Sequence, residues 1–387
     1  MIFFDPTWRR IMEFKVNSKE LEKLLSKIIP AVPARTPMPI LENFLFEVKD
    51  GQLTIYATDL EISLKSSLNI VAEENIKIVV PARLLNDVVR SLKDTTIHFK
   101  LMANKKINIV TDMGKYTISY LDADEFPEIP AVDAEKNAKD INEVLVNGAE
   151  LRQAFDKCAF AMSKEEMRPA MMGTLFEFTD DGLRFVTTDG HRLVNILKKN
   201  IKAAFNQQYV IPERAVSVLS KILDEKDVKI HLTKTFVSFK LNDIELITRL
   251  IAQKYPDYAS VIPLENEFQM KVNTKDIHDS IKRMMLFSTS STRRVKFSIS
   301  KDALEISAED LDIGASGEEK VVCEYEGDSI EIGFNSAYVN DVLSHLNTEE
   351  EIIFKLHSPT KAVVIEPVQK KENQDLMMLL MPVRLNT

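Results

Sequence analysis

Three stretches of the chain carry one pattern of apolar and polar positions: "FKVNSKEL" at 14–21, "VLVNGAEL" at 144–151 and "MKVNTKDI" at 270–277. In each, an apolar alternation of period two leads into Asn, an acid follows three residues later, and then Leu or Ile. The alternation predicts a strand and the Asn-to-acid spacing predicts a helix start. Asn17, Asn147 and Asn273 are expected as N-caps, with Glu20, Glu150 and Asp276 at the positive helix ends.

The predicted helices repeat one stripe of burial. Leu21, Leu24, Leu25, Ile28 and Ile29 fall at i, i+3, i+4, i+7 and i+8, and Leu151, Ala154, Phe155, Cys158 and Ala159 do the same. Ile277, Ile281, Met284 and Met285 form the third stripe, with Ser280 its polar exception. A strand pair follows each helix: "FLFEVKDGQLTIYATDLEISL", "TLFEFTDDGLRFVTTDGHRLV" and "VKFSISKDALEISAEDLDIGA". Asp-Gly or Lys-Asp between the alternating runs predicts hairpins. A second helix is expected at "PARLLNDVVRSL", "PERAVSVLSKIL" and "NSAYVNDVLSHL", opened by Pro81, Pro212 and Asn335. Copies one and two close alike, in "DEFPEIP" and "KYPDYASVIP".

A period of roughly 120 to 130 residues is a whole domain, far longer than a solenoid unit. The chain therefore reads as an α+β protein built from three copies of one domain, with segments 12–134, 135–264 and 265–387. Regular alternation begins only at "MEFKV", so residues 1–11 are read as an N-terminal extension.

Composition narrows this picture. The 387 residues are 45% hydrophobic and 28% charged, an ordinary globular balance. The two cysteines, Cys158 and Cys323, lie far apart in apolar contexts and suggest neither a disulfide framework nor a metal site. No apolar run approaches the length of a membrane span and no signal peptide is evident, so a soluble protein of a reducing cytoplasm is expected. A formal charge of −9 argues against a protein that coats nucleic acid with a uniformly basic surface, but leaves room for a locally basic face.

"VTTDGHRLV" at 186–194 looks at first like an active site. In register with the other copies, however, Asp189 corresponds to Asp59 and Asp310, whereas Gly190, His191 and Arg192 belong to the middle copy alone. A shared Asp at one turn is most simply a turn former that accepts local backbone N–H groups. Catalysis by Asp189 and His191, as in a hydrolase or transferase, would need a nucleophile or metal partner, and no motif supplies one. No catalytic residue, metal ligand or cofactor is expected. Gly190 would permit close approach, and His191 and Arg192 would supply donors, which suits recognition better than chemistry.

With the copies aligned, the chain closely resembles the bacterial DNA polymerase III beta subunit family, the sliding clamps. The match is carried by "TPMPIL" (36–41), "ATDLE" (57–61), "VPAR" (80–83), "TDGHRL" (188–193), "YPDY" (255–258) and "MPVRL" (381–385), in the family's order. The resemblance implies three tandem clamp domains with antiparallel sheets outside and two helices per domain inside, closing as a ring-shaped homodimer around duplex DNA. It implies no chemistry of its own; the ring would tether the replicative polymerase to its template. Expected partners are double-stranded DNA held nonspecifically, the polymerase catalytic subunit, the clamp loader, and other polymerases and repair proteins bearing clamp-binding peptides, at the nucleoid. An adaptor of clamp fold that never loads on DNA is the rival reading, opposed by the basic residues on the helices of copies one and two.

Carried over residue by residue, the partner-peptide groove would comprise Met171, Thr188, Gly190, His191, Arg192, Leu193, Pro256, Val261, Thr360, Ala362, Leu379, Leu380, Met381, Pro382, Val383 and Arg384. Ser260 and Thr360 depart from the family's pattern, and Asn386 and Thr387 extend beyond it. DNA-facing residues would be Lys19, Lys23, Lys27, Arg35, Arg83, Arg90, Arg152, Lys157, Arg168, Arg214, Lys221 and Lys282, touching phosphates rather than bases. The dimer seam would join Tyr116 and Ile118 of one subunit to Met285 and Leu286 of the other.

Overall fold

The structure is a computed structural model that describes residues 12–72, 74–130 and 141–385. The expected extension at 1–11, the boundary at 134/135, and Asn386 and Thr387 lie outside the described residues. Among the described residues six α-helices lie between antiparallel strands that form three sheets. The helices are α1 (Ser18–Ile28), α2 (Ala82–Ser91), α3 (Gly148–Cys158), α4 (Glu213–Ile222), α5 (Thr274–Met284) and α6 (Ser336–His345).

Local signals act as the pattern requires. The Asn17 side chain accepts from the amides of Lys19 and Glu20, and Asn273 does the same for Lys275 and Asp276. Asn335 caps α6 through the Ala337 amide. Asp50 and Gly51 both have positive φ in the two-residue loop between Lys49 and Gln52, the twist that a tight hairpin needs. On α1, Leu21, Leu24, Leu25 and Ile28 are buried while Ile29 is only partly so; on α5, Ser280 is buried beside Ile277, Ile281 and Met284.

The chain divides into two compact units. The first comprises residues 1–147 and 221–249. It holds a five-stranded sheet ordered Val71–Ala72, Glu13–Asn17, Thr96–Met102, Lys106–Thr111, Gly114–Ser119. It also holds a nine-stranded sheet, in which Ile62–Asn69 pairs antiparallel with Ile244–Arg249, Leu64 opposite Leu246. The core of this unit centres on Phe14, Phe46 and Phe99; the rings of Phe14 and Phe99 stack with centroids 4.7 Å apart.

The second unit comprises residues 148–220 and 250–387. Its twelve-stranded sheet runs continuously through Gly173–Thr179, Gly182–Thr188, Arg192–Lys198, Gln374–Leu380, Val363–Pro367 and Glu351–Leu356. Phe155, Phe176 and Phe185 form one aromatic nucleus and Phe297, Phe334 and Phe354 another, so each copy keeps its own core. Truncating one of these fully buried rings to Ala would cost about 3–5 kcal/mol. Sheets continue from copy to copy because edge strands left by one copy are paired by the next, which removes exposed ladders. The compact units therefore follow sheets rather than repeats: Asn142–Asn147 and Ile244–Arg249 belong to the first unit's sheet, Gly173–Thr179 and Gln207–Pro212 to the second's.

Candidate functional site

The turn at 188–192 is built by its own side chains. Thr188 Oγ1 donates to the Arg192 carbonyl at 2.7 Å and accepts from the Gly190 amide at 3.0 Å. Asp189 Oδ1 accepts from the amides of His191 (2.9 Å) and Arg192 (3.0 Å). The first copy repeats each bond: Thr58 Oγ1 to the Ile62 carbonyl, the Leu60 amide to Thr58, and the amides of Glu61 and Ile62 to Asp59. Asp310 accepts from the Asp312 amide in the third. Asp189 is thus a turn former, and its second oxygen is occupied by Arg192 Nε at 3.0 Å.

Strand pairing then brings the remote parts of the expected groove together. Arg192 lies opposite Leu380 and Leu193 opposite Leu379, while Val363 and Val364 flank Leu380 and Leu379 on the other side. The Met381 amide donates to the His191 carbonyl at 2.8 Å, fixing the C-terminal strand against the turn. On one face of the sheet Leu193, Ala362 and Leu379 join Ala170, Leu175, Val186, Val210 and Tyr255 in an apolar cluster, with Ile251, Tyr258, Ile262 and Met377 packed around it.

The rim is mixed. Gly190, His191, Pro256, Val261, Thr360, Met381 and Arg384 are exposed, Pro382 and Val383 half-buried, and Met171, Thr188 and Arg192 buried. Gly190 has φ +89°; a Cβ there would stand 3.2 Å from Arg168 Nη1 and 3.7 Å from Met171 Cε. This draws Met171 to the turn and sets Arg168 beside it. Val383 turns away from Leu380 to bond the Gly333 carbonyl at 2.8 Å. Tyr258 closes one side by donating to Glu177, a contact that together with burial pushes its phenol well above the ordinary range. Burial raises Tyr255 likewise, so both rings stay neutral.

Residues that the motifs missed, namely Leu175, Val186, Val210 and Met377, carried a readable signal. Leu175, Val186 and Leu193 alternate with the core residues Phe176, Phe185 and Val194, so these strands are apolar on both faces. Such a run marks a strand buried twice, here under the core on one side and the apolar cluster on the other.

Among the basic residues Lys23, Arg35, Arg90, Arg152 and Lys221 are exposed, and Arg214 is half-buried. Lys19 pairs with Glu22 (2.8 Å), Lys27 with Asp243 (3.2 Å), Arg168 with Glu165 (3.6 Å), Lys282 with Asp279 (3.7 Å) and Arg83 with the Pro33 carbonyl (3.1 Å). Lys157 donates to the His345 carbonyl at the end of α6 and to Thr348, and burial lowers its pKa. Tyr116 is 38% exposed and Ile118 buried on the outermost strand of the five-stranded sheet, while Leu286 is 76% exposed and Met285 half-buried just after α5.

Among the described residues no group of three or more His, Cys, Asp or Glu side chains is placed to hold a metal, and no helix is long and apolar enough to cross a membrane.

Comparison with known proteins accounts for the three copies and the shared turn together. Residues 12–130, 145–257 and 259–384 match the N-terminal, central and C-terminal domains of the DNA polymerase III beta subunit. The beta sliding clamps of Vibrio cholerae and Pseudomonas aeruginosa are each 29% identical over 378 residues, covering 97% of this chain and all of theirs. Among solved structures, a sliding clamp from Pseudomonas aeruginosa bound to griselimycin superposes with a TM-score of 0.88 at 27% identity, and the DNA polymerase III beta subunit of Thermotoga maritima with 0.87 at 28%. Both cover 97% of this chain and the whole of the other. The chain thus belongs to the DNA polymerase III beta subunit family and is a non-catalytic DNA sliding clamp that serves polymerase processivity.

Proposed function

We propose that two copies of the chain close a ring around duplex DNA in the bacterial cytoplasm, and that polymerases and the clamp loader dock by short peptides in the apolar cleft of the second unit. The three segments 12–134, 135–264 and 265–387 are its domains. The observation that carries the docking reading is the cluster of Leu193, Leu379 and Ala362 beneath an exposed rim of Gly190, His191 and Met381. A largely apolar cleft with a few donors at its edge suits capture of a short motif through one or two buried anchors. Met171, Met377 and Met381 add side chains that reshape around different anchors.

Unpaired strand edges support the ring. Among the described residues Gly114–Ser119 pairs on one side only, with Lys106–Thr111. In the twelve-stranded sheet, Ala315–Val322 pairs with Ala303–Asp310, whereas only Cys323–Glu326 is paired on its other side. Tyr116 on the one edge and Leu286 beside the other provide apolar surface for a mutual contact. Lys23, Arg35, Arg90, Arg152 and Lys221 offer exposed charge for phosphates, so DNA is held without reading bases. DNA passing at the nucleoid would meet no base-specific donor array.

The docking reading is tested by titrating the protein with griselimycin and, separately, with the polymerase catalytic subunit from the same cell. Binding of both, with each competing against the other, supports one shared cleft. Polymerase binding that persists when griselimycin is saturating would show that the two do not share a site.

A further inference from the structure

The Arg192 guanidinium is committed within the chain. Its Nε donates to Asp189 Oδ2 at 3.0 Å, Nη1 to Asp341 of α6, and Nη2 to the Phe160 carbonyl at 2.8 Å. The group lies 5.2 Å from the ring centre of Phe160 and 4.6 Å from that of Tyr338, and its side chain is only 10% exposed. Each of its three nitrogens has a partner within the chain, two of them carboxylates, and the plane lies between two aromatic faces.

The turn does not need this arrangement to close. Ile62 stands at the same place in the first copy, and the Thr58 and Asp59 bonds form there without any guanidinium. The Arg192 network therefore does something other than shape the turn. It runs from α6 through Asp341 and Arg192 to Asp189, and from there to His191, whose carbonyl holds the Met381 amide. The His191 ring also lies against Tyr338, 5.8 Å between centroids at 21°.

We propose that Asp341 is a positioning residue for partner binding: acting through Arg192, it clamps the His191 rim of the cleft onto α6, so that a side chain outside the cleft sets peptide affinity. This rests on the docking reading above. With Asp341 neutral, a nearly buried guanidinium keeps one carboxylate instead of two, and the rim gains conformations that a bound peptide must again freeze out. The loss falls on dissociation, because the encounter surface is unchanged. Lys at position 192 cannot replace the tie, since one ammonium on a flexible stem cannot satisfy two carboxylates and a carbonyl while lying flat between two rings.

The test is a double-mutant cycle read by surface plasmon resonance with griselimycin as the probe, with amide exchange at Gly190 and His191 as the second readout. Asp341→Asn, a same-shape change at a side chain 41% exposed, leaves the fold intact. It is expected to weaken binding roughly 5- to 20-fold through faster dissociation and to speed exchange in the rim turn. Arg192→Met should lose at least as much, the double variant no more than Arg192→Met alone, and Arg192→Lys should not restore binding. Wild-type affinity in Asp341→Asn, or losses that simply add in the double variant, would overturn the proposal. Ala362→Phe, which fills the cleft itself, separates the two readings. If it abolishes binding while Asp341→Asn does not, only the tie fails; if neither variant affects binding, the docking reading and the tie fall together.

Discussion

Two strand pairs join successive copies, and they share a backbone while differing in nearly every side chain that matters for binding. In the second unit Arg192–Lys198 pairs with Gln374–Leu380; in the first unit Ile62–Asn69 pairs with Ile244–Arg249. The adjoining turns are alike down to their hydrogen bonds, and Leu60 adopts φ +76° where Gly190 has +89°. Register then sets Ser63 against Leu193, Ile247 against Leu379 and Phe236 against Ala362. Where the second unit has Met381, the first has Arg249, stacked 4.9 Å over the Phe236 ring. Where the second has Asn195 and Met377, the first has Lys65 and the buried Glu245, paired at 2.6 Å. An apolar cluster of Leu45, Val79 and Phe126 persists there, but Glu47, Lys65 and Lys77 line the same hollow. The repeat supplies a frame twice, and a handful of side chains make one of the two frames apolar and the other polar and charged.

The sharpest way to erase the difference is Ala362→Phe, which gives the apolar cleft the residue that stands at the corresponding position, Phe236, in the first unit. Griselimycin and polymerase binding should fall on the order of 100-fold, as expected when a central anchor site is lost, and calorimetric titration would measure it. Undiminished binding would mean that the cleft is not the docking site.

Much of this comparison was legible in the amino-acid order. The triple Asn-acid start, the hairpin spacings and the shared Asp each state a local requirement that neighbouring residues satisfy, so they can be read along the chain. The Asp189 turn was legible for that reason. The family resemblance likewise implied a groove with Leu193, Ala362 and Leu379. Met377 and Val210 were not marked, because their roles come from register between strands far apart in the chain. Asp341 was hidden for the same cause: it meets Arg192 across 149 positions. Nor does residue type reveal that Lys157 turns to the end of α6 while Lys23 lies exposed.

Lys65→Met probes the other side of the comparison. It leaves Glu245 buried without its partner and should lower stability by about 2 kcal/mol, read as a shift of the urea unfolding midpoint. Lys65→Met with Glu245→Met should recover most of that loss, and neither variant should alter griselimycin binding. A weakened griselimycin site would show that the first strand pair takes part in docking after all.

Gly190→Leu asks whether the turn needs glycine or the ligand does. Leu60 already tolerates this conformation in the first copy, and the new Cβ meets only the flexible ends of Arg168 and Met171. The fold should survive while the rim narrows, weakening griselimycin roughly 3- to 10-fold in the same titration. Unfolding of the variant would show that the two turns are not equivalent.

The smallest effect concerns acid. His278 on α5 contacts Asn340 and Ser344 of α6, and burial, with Lys282 nearby, lowers its pKa; Asp279 opposes this. A histidine held neutral stabilises the folded state above its unfolded value of about 6.5. That contribution fades as pH falls below this value toward the lower folded one. Amide exchange in α5 and α6 should therefore quicken below pH 6.5 in excess of the intrinsic pH dependence of exchange, and His278→Gln should flatten that excess. The first unit, where Glu22 stands at the corresponding helix position, should not share this sensitivity.

The central claim is a ring held on DNA by topology, with the apolar cleft of the second unit used for partners. Its most direct measurement is retention on nicked circular DNA after loading with the cognate clamp loader and washing in high salt, before and after the circle is cut. The account predicts that the protein stays on the circle and leaves the linear form, since a closed ring slides off ends and has few phosphate contacts to lose to salt. Equal loss from both forms, with the loader proved active on another clamp, would contradict it.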